Sequence, residues 1–337
     1  MGASRWVTTI ERFLESAHVL SSRSTPTSFR IESYGGHGGP AGAVVRGRVL
    51  DNQEPSRAAE GEGAGAAVRR SVQNFLTREL PGVPLRVEIG GVTVETASDD
   101  DGYFLVRVPV EAPLAPPWAT GTVALRGEYR GLSAAPVAPV EVRVPDPAAR
   151  FGIISDIDDT VIETGVQRVG QMVLQTFTGS ELTRVAFPGA AALYRDLAAG
   201  VNPVFYVSSS PWNLHAFLTA FLDHHDFPRG PVLLRDLLGT GAGREEKHGR
   251  IREILQLHPD LSFVLVGDSG EKDPEIYADI VRSHPGRILA VYIREVRLDP
   301  GDGSVERVTQ TWGPDVPFVL AADSSAVREH AEAHGLL

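Results

Sequence analysis

The sequence predicts an α/β protein with a parallel sheet in its carboxyl-terminal half and many short strands in its amino-terminal half. From residue 151 onward, short apolar runs alternate with helical patterns, as expected for a parallel sheet with helices on both faces. Between residues 43 and 144, β-prone runs are separated by turn residues, as in a small β-sandwich. The length of 337 residues fits two domains, at roughly 100 to 200 residues per domain.

The amino-terminal half is expected to begin with a helix and a loop. Residues 5–18 place apolar side chains at helical spacing, which predicts a helix. Residues 21–42 are rich in Ser, Gly and Pro, and residues 34–40 are predicted as a loop. Residues 51–66 predict a surface loop, and residues 68–76 a helix inserted between strands. The strands expected for the sandwich are Val44–Leu50, Leu85–Ile89, Val92–Thr96, Tyr103–Val110, Thr122–Arg126 and Val140–Val144.

Two turns and one domain boundary are also predicted in this half. Gly90-Gly91 lies between alternating runs, which indicates a hairpin. The run Asp99–Gly102 lacks the spacing and the terminal Glu of a calcium-binding loop, so it predicts a turn. Prolines crowd residues 136–147, and we therefore expect domains at 1–148 and 149–337.

The carboxyl-terminal half alternates strands and helices. Its expected strands are Phe151–Ser155, Pro203–Val207, Val232–Leu234, Phe263–Val266 and Ile288–Ile293. Helical patterns are present at Gly189–Ala199, Trp212–His224, Glu245–Leu257 and Pro274–Ser283. Asp323 is typical of the residue that caps a last helix.

A cluster of carboxylates ends the first strand of this half. Asp156, Asp158 and Asp159 follow a mostly apolar run. Like charges this close raise each other's pKa unless a cation or donors compensate. A divalent metal with oxygen ligands is one such cation, and the carboxyl end of a parallel strand is where α/β sheets place their sites. The alternative is a solvated acidic turn.

Two further strand ends carry polar residues suited to phosphate and metal. The run Ser208–Ser210 follows the second strand, and Asp268 and Asp273 follow the fourth. The carboxyl ends of parallel strands lie on one edge of a sheet, so these groups are expected to converge. A helix beginning after the serines would direct its free N–H groups at an anion.

These motifs resemble the haloacid dehalogenase superfamily. Asp156-Ile-Asp158-Asp-Thr160 is similar to its DxDx[TV] nucleophile motif, Ser208 to its second-strand Ser/Thr, Lys247 to its lysine, and Gly267-Asp268 with Asp273 to its acidic fourth motif. The runs DIDDT, YVSSSPWNL and GDSGxxDPEIY resemble, in that order, the App1-like phosphatidate phosphatase catalytic domain. The resemblance covers about residues 150–295 and implies a haloacid dehalogenase-like, doubly wound parallel sheet.

The resemblance also implies roles. Asp156 would be the nucleophile that forms an aspartyl-phosphate, and Asp158 the general acid and base. Thr160, Ser208, Ser209 and Lys247 would bind the substrate phosphate. The implied cofactor is Mg²⁺, with Asp156, Asp158 through its backbone carbonyl, Asp268 and Asp273 as the implied ligand residues. The implied reaction is the hydrolysis of phosphatidate to diacylglycerol.

Alternatives stay open for several of these residues. Asp273 could instead cap the following helix, and Ser209 or Ser210 could take the place of Ser208. Lys247 could be a solvated helix lysine. Residues 161–185 could form a flap over the site, or could be ordinary helix core.

The composition limits which partners and which cellular compartment are expected. A net charge of -11 argues against nucleic acid as a partner. The chain has no cysteine, so disulfides and thiolate metal sites are excluded. Without a signal-peptide pattern or a run of about 18 apolar residues, we expect a cytoplasmic protein, in peripheral contact with a membrane if its substrate is a lipid. The alternatives are a phosphatase of another lipid or small phosphomonoester, and an inactive phosphate- or partner-binding scaffold.

Overall fold

The computed structural model describes residues 29–51, 79–131, 137–162, 186–235, 243–296, 304–313 and 315–337. Four predictions lie wholly or largely outside these ranges: the helices at residues 5–18 and 68–76, the surface loop at residues 51–66, and the flap at residues 161–185. The α/β class predicted from the sequence is confirmed, since the described residues form two sheets and a set of helices.

The amino-terminal strands form one seven-stranded sheet. They are β1 (Arg30–Gly39), β2 (Gly42–Leu50), β3 (Pro84–Ile89), β4 (Val92–Ala97), β5 (Tyr103–Val108), β6 (Trp118–Leu125) and β7 (Ala138–Arg143). Their order is β4-β3-β6-β7-β1-β2-β5, and every neighbouring pair is antiparallel except β1 and β7. In β3, buried residues alternate with exposed ones, and the inward side chains of six strands share one core.

Strand β1 corrects the prediction of a loop at residues 34–40, since residues 30–39 form a strand. Its residues pair with β2 along nearly their full length and with β7 at His37 and its neighbour. A Cβ atom at Gly36 would lie 2.1 Å from the carbonyl oxygen of Val44, so this glycine permits the close approach of two strands. The glycines that indicated a loop are a requirement of the strand pairing.

The carboxyl-terminal strands form a six-stranded sheet. They are β8 (Gly152–Ser155), β9 (Val204–Pro211), β10 (Val232–Arg235), β11 (Phe263–Asp268), β12 (Ile288–Arg294) and β13 (Phe318–Ala321). The order is β10-β9-β8-β11-β12-β13, and all neighbours are parallel, as predicted. β13 was not predicted from the sequence.

Helices pack against both faces of this sheet. They are α1 (Ala190–Ala198), α2 (His215–His224), α3 (Gly243–Leu257), α4 (Asp273–Ser283), α5 (Ser304–Thr311) and α6 (Ser324–Ala333). Ile153 belongs to a core with α1, α2 and α6, whereas its neighbour Ile154 belongs to a core with α3 and α4. Adjacent residues of one strand therefore point into different layers. No helix of the described ranges is long and apolar enough to cross a bilayer.

Two predicted local structures are confirmed. The Asp323 side chain accepts hydrogen bonds from the backbone N–H groups of Ser325 and Ala326, at 3.0 and 3.1 Å, and caps α6. The Asp99 side chain accepts from the N–H groups of Asp101 and Tyr103, which makes the acidic run a turn.

The two sheets are linked by a buried ionic cluster around Glu253 of α3. Its carboxylate accepts hydrogen bonds from the guanidinium groups of Arg46 and Arg107, the latter at 3.0 Å. Nε2 of His37 lies 3.6 Å away. A second contact is the stacking of Tyr34 on Trp212, with ring centroids 4.7 Å apart. The amino-terminal sheet thus packs against the helix that carries Lys247 and the turn that follows β9.

Candidate active site

Three neighbouring strands bring the predicted site residues together. β8 lies between β9 and β11, and Ser155, the last residue of β8, is in register with both Tyr206 and Val266. Asp156 follows directly after β8, while Ser208 and Asp268 lie toward the carboxyl ends of β9 and β11. The groups therefore meet at one edge of the sheet, where the sequence pattern predicts them.

Asp156 is completely buried and is paired with a cation. The Lys247 ammonium donates a hydrogen bond of 2.7 Å to Oδ1 of Asp156. Oδ2 of Asp156 has no hydrogen-bond partner within the described part of the chain. Burial raises the pKa of Asp156, and the Lys247 ammonium opposes that rise. One carboxylate oxygen is thus held in place while the other is available to a reacting group or a cation.

Lys247 is enclosed by carboxylates. Its ammonium also donates to Oδ1 of Asp273 and lies 3.7 Å from Oε2 of Glu271. Burial alone would lower the pKa of Lys247, but Asp156 and Asp273 raise it well above its ordinary value. The side chain is only 1% exposed, which is incompatible with a solvated helix lysine.

Asp158 is held by two serine hydroxyls. Ser208 donates to Oδ2 of Asp158 at 2.7 Å, and Ser210 donates to the same oxygen at 3.1 Å. Side chains two residues apart on a strand share a face, so Ser208 and Ser210 both point at Asp158. Ser209 instead lies 3.5 Å from Glu271. Burial raises the pKa of Asp158, and the two hydroxyls partly oppose it.

The turn after Asp158 positions Thr160. Asp159 adopts φ 53°, a left-handed conformation that Asp tolerates better than most residues. This backbone conformation makes Asp159 part of the turn that follows Asp158. Thr160 is buried, and its hydroxyl has no hydrogen-bond partner among the residues that the structure describes. The Thr160 hydroxyl is therefore a buried donor that no described residue uses.

Asp268 organises the loop that follows β11. Its Oδ1 accepts hydrogen bonds from the N–H groups of Gly270 and Glu271, at 2.6 and 2.9 Å. Oδ2 is buried and has no hydrogen-bond partner in the described ranges. Burial and the nearby Asp273 carboxylate raise the pKa of Asp268 to about 8. Asp268, like Asp156, therefore has one carboxylate oxygen that accepts no hydrogen bond from the described residues.

Asp273 belongs to the site and does not cap the helix. The cap position of α4 is Lys272, whose side chain makes no capping hydrogen bond. Asp273 is buried, and its Oδ2 accepts from the N–H group of Asp268 at 3.3 Å. A Cβ atom at Gly267 would lie 2.3 Å from that Oδ2, so only glycine leaves room for it.

The carboxylates fit a divalent cation. One ligand oxygen each from Asp156, Glu271 and Asp273 lie within 4.8 Å of one another. One buried oxygen each of Asp156 and Asp268 accepts no hydrogen bond from the described residues. Carboxylate oxygens are the hard ligands that Mg²⁺ and Ca²⁺ prefer. Sequence reasoning missed Glu271, although it lies between Asp268 and Asp273 in one motif. Asp158 and Asp268, predicted as ligand residues, lie outside this group of three oxygens.

The comparisons with known proteins agree with this geometry. Residues 151–295 match the model of the catalytic domain of phosphatidate phosphatase APP1. Phosphatidate phosphatase APP1 of Saccharomyces cerevisiae is 29% identical over 237 residues, which cover 66% of this chain and 40% of that protein. An uncharacterized protein of Schizosaccharomyces pombe is 32% identical over 157 residues, which cover 44% of this chain and 26% of that protein. The chain thus spans less than half the length of both relatives.

Among solved structures, a carbohydrate acetylesterase from Xanthomonas citri aligns over 84% of this chain and 65% of its own, with 13% identity and a TM-score of 0.26. A score this low carries no argument about fold or function. The family match covers every site residue described above, from Asp156 to Asp273. The family resemblance predicted from the motifs is confirmed, since residues 151–295 are similar to the catalytic domain of phosphatidate phosphatase APP1.

Proposed function

We propose that this protein is a magnesium-dependent phosphatase that hydrolyses phosphatidate to diacylglycerol through an aspartyl-phosphate on Asp156. The observation that supports this most is the buried Asp156 carboxylate, with one oxygen bonded to Lys247 and the other without a hydrogen-bond partner among the described residues. Under this proposal residues 149–337 are a haloacid dehalogenase-like catalytic domain, and residues 1–148 include a β-sandwich-like domain.

Asp156 acts as the nucleophile. Its free oxygen attacks phosphorus, forming an O–P bond while the bond from phosphorus to the substrate alkoxide breaks. The Lys247 ammonium, 2.7 Å from the other oxygen, fixes the carboxylate and offsets the charge that gathers at the phosphoryl group. Phosphoryl transfer depends mainly on such positioning and electrostatics.

Asp158 moves the protons. Its raised pKa favours the protonated acid, which donates its proton to the departing alkoxide. The resulting carboxylate then takes a proton from a water molecule that attacks phosphorus, which releases phosphate and restores Asp156. Ser208 and Ser210 hold Oδ2, so that Oδ1, which has no hydrogen-bond partner within the described ranges, is the oxygen that exchanges the proton.

The substrate phosphate is bound by Thr160, Ser208, Ser209 and Lys247. The Thr160 hydroxyl is buried without a hydrogen-bond partner in the described residues and can donate directly. The Ser208 hydroxyl donates to Oδ2 of Asp158 and has only one hydrogen, so it would have to leave that oxygen to donate to phosphate.

Magnesium would be held by Asp156, Asp268, Asp273 and the backbone carbonyl of Asp158. When bound, it would supply positive charge that offsets the negative charge of the phosphoryl oxygens. The feature of this chain that fits such an ion is the pair of buried oxygens, one each of Asp156 and Asp268, that have no hydrogen-bond partner among the described residues. We also propose that the protein works in the cytoplasm, and that it contacts a membrane surface peripherally because its proposed substrate is a lipid.

The substrate is tested by comparing vesicles that contain phosphatidate with a panel of soluble phosphomonoesters. Magnesium-dependent phosphate release is measured for the full chain, with EDTA as the blank. We expect phosphatidate to be hydrolysed with the highest kcat/KM. Cleavage of a soluble phosphate orders of magnitude faster would reject the lipid and favour a small-molecule phosphatase. No release from any substrate would favour the inactive scaffold.

A further inference from the structure

Glu271 is an acidic side chain at the site that the proposed mechanism does not use. It follows Asp268 by three residues and lies on the loop between β11 and α4. Its side chain is 32% exposed, whereas those of Asp156 and Asp273 are at most 1% exposed. Glu271 is therefore the carboxylate that lies between the buried charges and solvent.

The loop holds Glu271 in a defined position. The Asp268 carboxylate accepts a hydrogen bond of 2.9 Å from the N–H group of Glu271, which fixes its backbone. At its other end, Oε2 lies 3.5 Å from the Ser209 hydroxyl of β9. Glu271 thus spans from the fourth motif to the second, across the carboxyl end of β8.

Two explanations fit this position. Oε2 is 3.7 Å from the Lys247 ammonium, so Glu271 could serve only as one more counter-ion of the lysine. However, Asp156 and Asp273 already bond this ammonium directly. One oxygen of Glu271 also lies within 4.8 Å of ligand oxygens of both aspartates, which is the spacing of ligands around one cation. The completely buried Asp156 keeps a second oxygen without a hydrogen-bond partner among the described residues.

We propose that Glu271 is a further ligand residue of the divalent cation, on the solvent side of the site. This inference rests on the proposed function, because it concerns the same cation. Glu271 closes the solvent side of a set whose buried side is formed by Asp156 and Asp273. An additional carboxylate strengthens the binding of a hard cation through both charge and direct coordination.

Manganese binding to the full chain tests the proposal. Free Mn²⁺ is measured by electron paramagnetic resonance during titration of EDTA-stripped protein, for the wild type, Glu271→Gln, Glu271→Asp and the control Glu275→Gln. Glu275 lies on helix α4, two residues after Asp273, and pairs with Arg307 at 3.3 Å. The Asp variant keeps the charge but withdraws the oxygens by one methylene, which separates coordination from charge alone.

We expect both Glu271 variants to raise the Kd for Mn²⁺ by about tenfold or more, while Glu275→Gln stays within about twofold of the wild type. A Glu271→Asp variant that binds as tightly as the wild type would overturn the proposal, because charge alone would then suffice. If the wild type itself bound no Mn²⁺, the proposed metal-dependent function would fail as well. Tight binding by both the wild type and Glu271→Asp would instead reject only the role of Glu271. Circular dichroism and unfolding in EDTA confirm that each variant is folded.

Discussion

The Nζ atom of Lys247 lies 2.7 Å from Oδ1 of Asp156, and both side chains are at most 1% exposed. The chain contains only one other lysine, Lys272, and all of its remaining lysine or arginine positions are Arg. A compact ammonium fits between two buried carboxylates, whereas a planar guanidinium needs more space and a different geometry. This pairing makes Lys247 a determinant of both stability and activity.

Replacement of Lys247 by Met tests that dependence. The change leaves Asp156 and Asp273 buried without their cation, so we expect the free energy of unfolding in EDTA to fall by about 3 kcal/mol. Phosphate release should fall by about a hundredfold. The matched control is Lys272→Met, since Lys272 is exposed and should change neither quantity. A Lys247→Arg variant with full activity would show that the compact ammonium is not required.

Gly267 should resist substitution. A Cβ atom there would lie 2.3 Å from Oδ2 of Asp273 and 2.8 Å from the ring of Tyr277, so the backbone or Asp273 must move. We expect Gly267→Ala to cost about 2 kcal/mol of unfolding free energy and to reduce phosphate release. Gly249→Ala is the control, because nothing lies within 4 Å of its added Cβ in helix α3. Equal stability of the two variants in urea unfolding would contradict the close packing.

The proton-transfer role of Asp158 predicts a dependence on the leaving group. With para-nitrophenyl phosphate the leaving phenolate needs little protonation, whereas attack by water still needs the base. Asp158→Asn should therefore give a burst of about one nitrophenolate per protein, followed by slow turnover. With an alkyl phosphomonoester, the rate should fall by about 10² to 10⁴-fold. Unchanged rates on the alkyl substrate would contradict this role.

Glu253 should stabilise the contact between the two sheets. Burial alone would raise the pKa of Glu253, but His37 and Arg46 outweigh it and hold the pKa below its ordinary value. A lowered pKa contributes stability that is complete above the unfolded value of about 4.3 and is lost as the pH falls below it.

We expect Glu253→Gln to cost about 3 kcal/mol at pH 7, because Arg46 then stays buried without its partner. The difference from the wild type should shrink as the pH falls below about 4. Glu141→Gln, which breaks the exposed pair with Arg229, is the control and should cost less than about 1 kcal/mol. A difference in unfolding free energy that does not depend on pH would contradict the assigned pKa direction.

The location of the site could be predicted from the sequence because the ends of the strands could be. Asp156, Ser208 and Asp268 each lie where an apolar run gives way to polar residues, and a parallel sheet places such positions on one edge. The period of two along β9 also explains why Ser208 and Ser210, but not Ser209, contact Asp158. These inferences need only local patterns.

Features that depend on distant contacts were not predictable. β1 was predicted as a loop, because its glycines become informative only when Val44 lies opposite Gly36. The pairing of Arg46 with Glu253 joins residues 207 positions apart, and no local pattern indicates it. Asp273 could equally have been a helix cap, and its contact with Lys247 decides between the alternatives.

The most direct test of the account is phosphate release in magnesium by the wild type and by Asp156→Asn. Asparagine has nearly the same shape but cannot form the aspartyl-phosphate, so we expect the rate to fall by about 10⁴-fold or more. Circular dichroism and unfolding in EDTA check that the variant is folded. Equal rates for the two proteins would contradict the assignment of Asp156 as the nucleophile.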